Sequence, residues 1–202
     1  NGVVMISPSA TSPGLTTLDD KGFFFRTAPS DARGGQILAD ITKDRRIKSV
    51  AITYTNNDYG KGLADVYEAA VKAHGIKVTT VSAHEDGKAD YSSEVATLAA
   101  AGGDAVAVIG YLDQGGKGII QGSLDSGAFD KFILSDGMIG DSLTDAFGKD
   151  LNKSFGSMPG SMNKKTAGTF ASVAKAAGID SSGPYTGESY DAGALIVLAM
   201  QA

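Results

Sequence analysis

The stretch SVAITYTNNDYGKGLADVYEAAVKAHG, Ser49 to Gly75, changes its hydrophobic period partway along. Its first part, Ser49 to Thr55, is a β-branched apolar run, and the polar loop NNDYGKG follows it. Apolar residues then recur at Leu63, Val66, Tyr67, Ala70 and Val71, the i, i+3, i+4, i+7, i+8 spacing of one buried helix face. Gly75 stands where a glycine commonly ends a helix. Strand, loop and amphipathic helix in that order make one β-α unit.

The unit repeats on the C-terminal side. IKVTTVSA reads as a second strand, and Asp90 can cap a helix that carries Val95 and Leu98 and stops at AGG, ending on Gly103. AVAVI is a third strand, followed by a helix with Ile119, Ile120 and Leu124 that ends at Gly127. KFILS is a fourth. Repeated β-α units with short glycine-ended connections imply an α/β fold with a doubly wound parallel sheet, helices covering both faces. Nearly continuous apolar strands suit a sheet buried on both sides. The two ends fit this unit less well. Residues 1–27 hold one strand, GVVMIS, a Ser/Thr/Pro-rich loop and the run GFFFRT. From about residue 159 come helix-like stretches around Phe170–Ala177 and Glu188–Ala202. Both ends read as parts of a second lobe.

Bulk properties exclude several classes. A net charge of -5 over 202 residues argues against nucleic acid, whose binding needs a basic surface. With no cysteine there is neither a disulfide framework nor a thiolate metal site. The longest apolar run, near ALIVLAMQA, is far shorter than the ~20 residues of a membrane helix, so no direct membrane insertion is expected. No secretory leader is visible. The chain opens directly into a strand and closes in an uncapped apolar helix, so the expectation is a piece of a longer protein.

In open α/β sheets ligands bind beyond the carboxyl ends of the strands. GYLDQGGKG, Gly110 to Gly118, at first resembles a phosphate loop there. It lacks the spacing and the Ser/Thr of G-x-x-x-x-G-K-[ST]. No strand is followed by G-x-G-x-x-G, and G-x-S-x-G is absent, since QGSLDSG lies within a helix. His74 and His84 have no ligand-like spacing and read as surface residues, so neither a metal site nor a cofactor is expected and no catalytic residue is assigned. The glycines are read as letting the chain turn from strand to helix, and Tyr111 is the informative residue. The other strand-end loops offer Ser7, Ser9 and Thr11, then Tyr59, then Ser135, Asp136 and Gly137. Hydroxyls and backbone N–H groups can hold a carboxylate, an Asp can hold an ammonium, and tyrosines can wall an aliphatic body. The plainer alternatives stay open: a strand-end tyrosine can simply pack, and an Asp before Gly can simply make a turn.

The segments ISPSATSPGLT, FFFRTAPSDARGG, NDYGKGLADV, DYSSEVATLAAAGGDAVAVIGY, FILSDGM and GPYTGESYDAGAL, in that order, resemble the periplasmic substrate-binding proteins of branched-chain amino acid (leucine/isoleucine/valine-type) ABC transporters, in the type I periplasmic binding protein family. The resemblance runs the length of the chain. It implies two doubly wound lobes joined by a hinge, with residues 1–29 and 159–202 as a partial lobe one, residues 30–158 as lobe two, and crossings near Pro29 and Pro159. It implies that Ser9, Ala10 and Thr11 grip an α-carboxylate. Tyr59 and Tyr111 would face the ligand from lobe two, Asp136 would hold the α-ammonium, and Tyr185 would add an aromatic contact. It also implies an amino-acid ligand, a membrane permease as partner, and a periplasmic location with a signal peptide upstream. A ligand-sensing regulator of the same fold, binding a small amide or carboxylate, is the alternative. An enzyme on a doubly wound sheet is a weaker one, because no nucleophile-base pair or cofactor motif is present.

Overall fold

A computed structural model of the chain describes residues 2–160 and 164–202. Two parallel sheets organise it. β1 (Met5–Ser7) pairs with β2 (Phe24–Arg26). The larger sheet contains β3 (Ser49–Thr55), β4 (Lys77–His84), β5 (Ala105–Ile109), β6 (Phe132–Leu134) and β7 (Phe155–Gly156), in the spatial order β4-β3-β5-β6-β7. α1 (Asp31–Asp44) leads into β3, and α2 (Asp58–Ala73) links β3 to β4. α3 (Ser92–Ala101), α4 (Lys117–Ser126) and α5 (Asp141–Phe147) make the remaining connections. α6 (Lys164–Ala176) and α7 (Thr186–Gln201) follow.

The period of two within each strand divides the core into two layers. Val50 and Ile52 of β3, Ala107 and Ile109 of β5 and Ile133 of β6 meet Leu38, Leu63, Tyr67 and Val71 of α1 and α2. Ala51, Val106, Val108, Phe132 and Leu134 face the other way and meet Leu98, Ile119, Ile120, Leu143 and Phe147. The Tyr67 hydroxyl, inside the first layer, is satisfied by Thr42 Oγ1 at 2.9 Å. Strand order reverses between β3 and β5, which opens a crevice at their carboxyl ends, the place where such sheets take ligands.

Two expectations need correction. His84 is not a surface residue: it is 1% exposed, its Nδ1 lies 2.9 Å from Thr53 Oγ1, and the Tyr91 ring packs edge-on against it. Burial lowers its pKa, against the pull of Asp86, Glu94 and Glu85. The loop after β4 folds back over the strand end and covers the ring, an event that the polar-apolar mixture of β4 does not announce. His74, by contrast, is partly exposed and pairs with Asp40 at 2.7 Å. The glycines of GYLDQGGKG also serve a different need from turning. None of them has a positive φ. A Cβ on Gly116 would lie 2.2 Å from Met138 Sδ, and one on Gly118 would lie 2.5 Å from the Tyr91 ring. They are small because the π-turn Leu112–Gly116 and the start of α4 pack directly onto those side chains.

Gly60 fixes how α2 meets β3. Asn57 caps the helix by accepting from the Gly60 N–H at 2.9 Å, and a Cβ on Gly60 would fall 2.2 Å from the Thr55 carbonyl oxygen. That close approach sets Tyr59 at the crevice. Gly60→Ala is expected to destabilise the protein by about 1–3 kcal/mol in equilibrium denaturant unfolding, as overpacking against a backbone atom does. A loss below about 0.5 kcal/mol would show that this seat is not tight.

Candidate ligand site

Asp136 follows β6, at the start of a short 3₁₀ turn (Asp136–Met138), and is 9% exposed. Gly137 lets it sit there: a Cβ at that position would lie 2.4 Å from the Gly110 carbonyl oxygen and 3.2 Å from the Tyr59 hydroxyl. The Tyr59 hydroxyl donates to Asp136 Oδ1 at 2.7 Å and lies 3.1 Å from Ser135 Oγ. From the opposite side the Tyr185 hydroxyl donates to Asp136 Oδ2. Tyr185 caps α7 with a left-handed backbone, φ 62°, which costs a non-glycine residue about 1–2 kcal/mol. Tyr111, the residue after Gly110, stacks on Tyr59 with ring centroids 5.3 Å apart. Burial first, and then the Asp136 charge, raise the pKa values of Tyr59 and Tyr185. Burial also raises that of Tyr111.

Across from this group lies the loop after β1. Ser7 Oγ accepts from the Ala10 N–H at 3.1 Å and from that of Ser9 at 3.4 Å. Arg26 of β2 draws the loop carbonyls to itself: its guanidinium donates to Ala10 O at 3.2 Å, to Ser12 O at 2.8 Å and to Thr16 Oγ1 at 2.7 Å. The N–H of Thr11 donates to no described residue. With its carbonyls drawn to a cation and one N–H unengaged, the loop can receive an anion. Its next residues touch α2, where Ser12 Oγ donates to the Asp58 carbonyl at 3.2 Å and a Cβ on Gly62 would meet Pro13 Cδ at 3.0 Å.

All seven residues singled out from the sequence line one cavity of about 1040 Å³: Ser9, Ala10, Thr11, Tyr59, Tyr111, Asp136 and Tyr185. Ser12, Leu15, Leu18, Lys61, Gly62, Ile139 and Pro184 complete much of the wall. Sequence reasoning missed Arg26, which holds the loop, and Asp31, a buried acid beside it whose carboxyl is pushed up to about 6, chiefly by burial. FFFRTAPSD contains both, but nothing in a linear pattern says that they point at a loop many residues upstream. Among the described residues no group of three His, Cys, Asp or Glu side chains could hold a metal ion. None of their helices is long and apolar enough to cross a membrane.

The family described as the receptor family ligand binding region matches residues 1–179, and the chain belongs to it. Leu/Ile/Val-binding protein homolog 3 of Brucella melitensis is 37% identical over 117 residues, which is 57% of this chain and 32% of that protein. Leu/Ile/Val-binding protein homolog 2 of Brucella abortus is 32% identical over 151 residues, 73% of this chain and 40% of that protein. The crystal structure of a leucine binding protein from Thermotoga maritima aligns with a TM-score of 0.80 at 21% identity, covering 98% of this chain and 57% of that one. A solute binding protein of an ABC transporter from Rhodopseudomonas palustris, in complex with p-hydroxybenzoic acid, aligns with a TM-score of 0.76 at 15% identity, covering 96% and 54%. The matches thus span about a third to two-fifths of these curated relatives and somewhat over half of the solved structures. The fold is that of the type I periplasmic binding proteins.

The electrostatics can be read from the tyrosines. Of seven in the chain, Tyr59, Tyr67, Tyr111 and Tyr185 have raised pKa values. Spectrophotometric titration of the folded protein to about pH 11 should therefore leave a late-ionising class, since an ordinary tyrosine titrates near 10. Tyr59→Phe should remove one member of that class. Removal of an early-titrating tyrosine instead would contradict the Tyr59–Asp136 contact.

Proposed function

We propose that this chain is the ligand-holding part of an extracytoplasmic solute-binding protein that captures an amino acid, branched-chain or related, between two lobes and delivers it to an ABC transporter permease. The observation that carries this reading is the pairing, in one cavity, of a buried carboxylate held by two tyrosine hydroxyls with a loop suited to an anion. Such a site complements a zwitterion. The ammonium goes to Asp136, the carboxylate to the Ser9–Ala10–Thr11 loop, and the aliphatic body lies against Tyr59, Tyr111 and Tyr185. Burying an ion is costly unless it is paired and hydrogen-bonded. Tyr59 and Tyr185 hold the carboxylate in place beforehand, so little reorganisation is needed when the ligand arrives. Each charge-assisted hydrogen bond then contributes about 1.5–3 kcal/mol.

In this reading residues 1–29 and 159–202 belong to one lobe and residues 30–158 to the other, with crossings near Pro29 and Pro159, and closure brings the loop onto α2. The relatives' names support an amino-acid ligand, and periplasmic residence follows from the same reading. The alternative reading is a ligand-sensing regulatory domain of the same fold that binds a small amide or carboxylate.

Asp136→Ala is expected to weaken binding of L-leucine by at least about 1.5 kcal/mol, roughly tenfold, in calorimetry on the full-length protein. Unchanged affinity would remove Asp136 from the ammonium role. Equally tight binding of 4-methylpentanoate, which lacks the amine, would favour a carboxylate-only ligand.

A further inference from the structure

His84 ends β4 and does not line the ligand cleft, yet its ring is enclosed. Its Nδ1 is engaged with Thr53 Oγ1 of β3 at 2.9 Å, while Nε2 forms no hydrogen bond with any described residue. Nε2 faces Gly110, where a Cβ would lie 3.0 Å away. The ring edge faces Gly115, where a Cβ would lie 3.4 Å from Cδ2. These two glycines bracket Tyr111, which lines the cleft and stacks on Tyr59. The imidazole is thus the floor on which the turn carrying Tyr111 rests.

The loop after β4 is fastened to that turn. The Gly87 N–H donates to the Gln114 carbonyl at 2.5 Å. The Tyr91 hydroxyl lies 2.8 Å from the same carbonyl and 3.0 Å from that of Glu85. Gln114 and Gly116 donate through their N–H groups to the Tyr111 carbonyl at 3.3 and 3.0 Å. Three carboxylates act on the imidazole, and two are engaged. Glu85 of the loop accepts from Asn56 Nδ2 at 2.6 Å, and Glu94 of α3 pairs with Lys88 at 2.5 Å. The Lys88 ammonium also stands over the Tyr91 ring, and on the turn itself Asp113 pairs with Lys117 at 2.6 Å. Asp86 is left, with a buried Oδ1 that has no partner. Its charge opposes the burial that lowers the His84 pKa and adds to the burial that raises that of Tyr111. A charged imidazole donates from both nitrogens, and a buried donor without an acceptor is costly. Protonation of His84 therefore creates a need for an acceptor at Nε2 that the neutral ring does not have.

We propose that His84 is a positioning residue of the ligand site: neutral, it seats the turn that holds Tyr111 on Tyr59, and protonated, it draws Asp86 toward Nε2, shifts that turn and loosens the ligand. The coupling runs from the loop through the Gly87–Gln114 and Gln114–Tyr111 hydrogen bonds, so His84 acts without touching the ligand. The protein then holds its ligand at neutral pH and releases it as its surroundings acidify. The inference rests on the amino-acid reading for the identity of the ligand alone. Burial lowers the His84 pKa, so the release falls below the ordinary histidine value of about 6.5. The bound form favours the neutral ring, so binding there expels a proton and affinity falls with pH.

Two measurements test it on the full-length protein, the first without ligand. In NMR spectra of protein labelled on its histidine and tyrosine rings, the Tyr111 signals should move with the midpoint of the His84 titration. Asp86→Asn should keep a His84 titration and abolish that movement. In calorimetry with L-leucine, the parent's affinity should fall about tenfold more than that of His84→Gln between about pH 7.5 and about pH 4.5, since glutamine takes up no proton. Asp31, pushed up to about 6, titrates in both proteins, so the difference between them reads His84. Asp86→Asn should flatten the profile to the same extent, and it carries the test if His84→Gln does not fold. Tyr111 signals that ignore the His84 midpoint overturn the proposal. So does a pH profile of leucine binding that is the same in the parent and the variants. Tyr111 signals that follow His84, with no leucine binding at any pH, would keep the link from His84 to Tyr111 and remove the amino-acid reading instead.

Discussion

One carboxylate joins the C-terminal part of the chain to its middle. Asp136 lies at the end of β6 and accepts a hydroxyl from Tyr59 at the start of α2 and another from Tyr185 at the start of α7. A carboxyl group that is only 9% exposed is costly to bury unless donors converge on it. Much of the local geometry serves that convergence: Gly60 seats α2 on β3, Gly137 brings the β6 end under the Gly110 carbonyl, and Tyr185 takes a left-handed backbone. Each of these features constrains folding locally, and together they place hydrogen-bond donors around one acid.

The opposite wall follows a complementary rule. Arg26 could have paired with an acid. Instead its guanidinium collects the carbonyls of the loop that follows β1, while the N–H of Thr11 donates to no described residue. Unsatisfied buried polar groups cost free energy, and natural proteins hold few of them. Here they lie beside the cavity that the acid also lines, so a single zwitterion can satisfy both walls. The family of ligand binding regions to which the chain belongs gives that arrangement a setting, while the choice of ligand rests on the local chemistry.

The larger sheet was legible in the sequence because its strands and helices differ in period. Val50 and Ile52 face one layer and Ala51 the other, whereas Leu63, Tyr67 and Val71 form a helical stripe. α1 was not legible, since Gly34-Gly35 breaks the helical signal. In the structure Gly35 is a close approach to α2, where a Cβ would lie 2.8 Å from Val66 Cγ1. β7, a two-residue strand, is too short to carry any period. Tyr59, Tyr111 and Asp136 could be proposed because they directly follow strands or open the next helix, and a strand's carboxyl end is a place a reader can find. Asp31, Arg26 and the buried ring of His84 could not, because their surroundings come from segments distant in sequence. Whether a polar residue is exposed or enclosed is decided by tertiary packing, and a single sequence records it only faintly.

The account stands or falls on where an amino acid sits. A crystal structure of the full-length protein with a bound amino acid should place the ammonium nitrogen about 3 Å from Asp136, the ordinary distance of such a hydrogen bond. The ligand carboxylate should lie against Ser9–Ala10–Thr11, with its side chain against Tyr59, Tyr111 and Tyr185. A ligand seated outside this cavity, or one whose carboxylate points to Asp136, would contradict it.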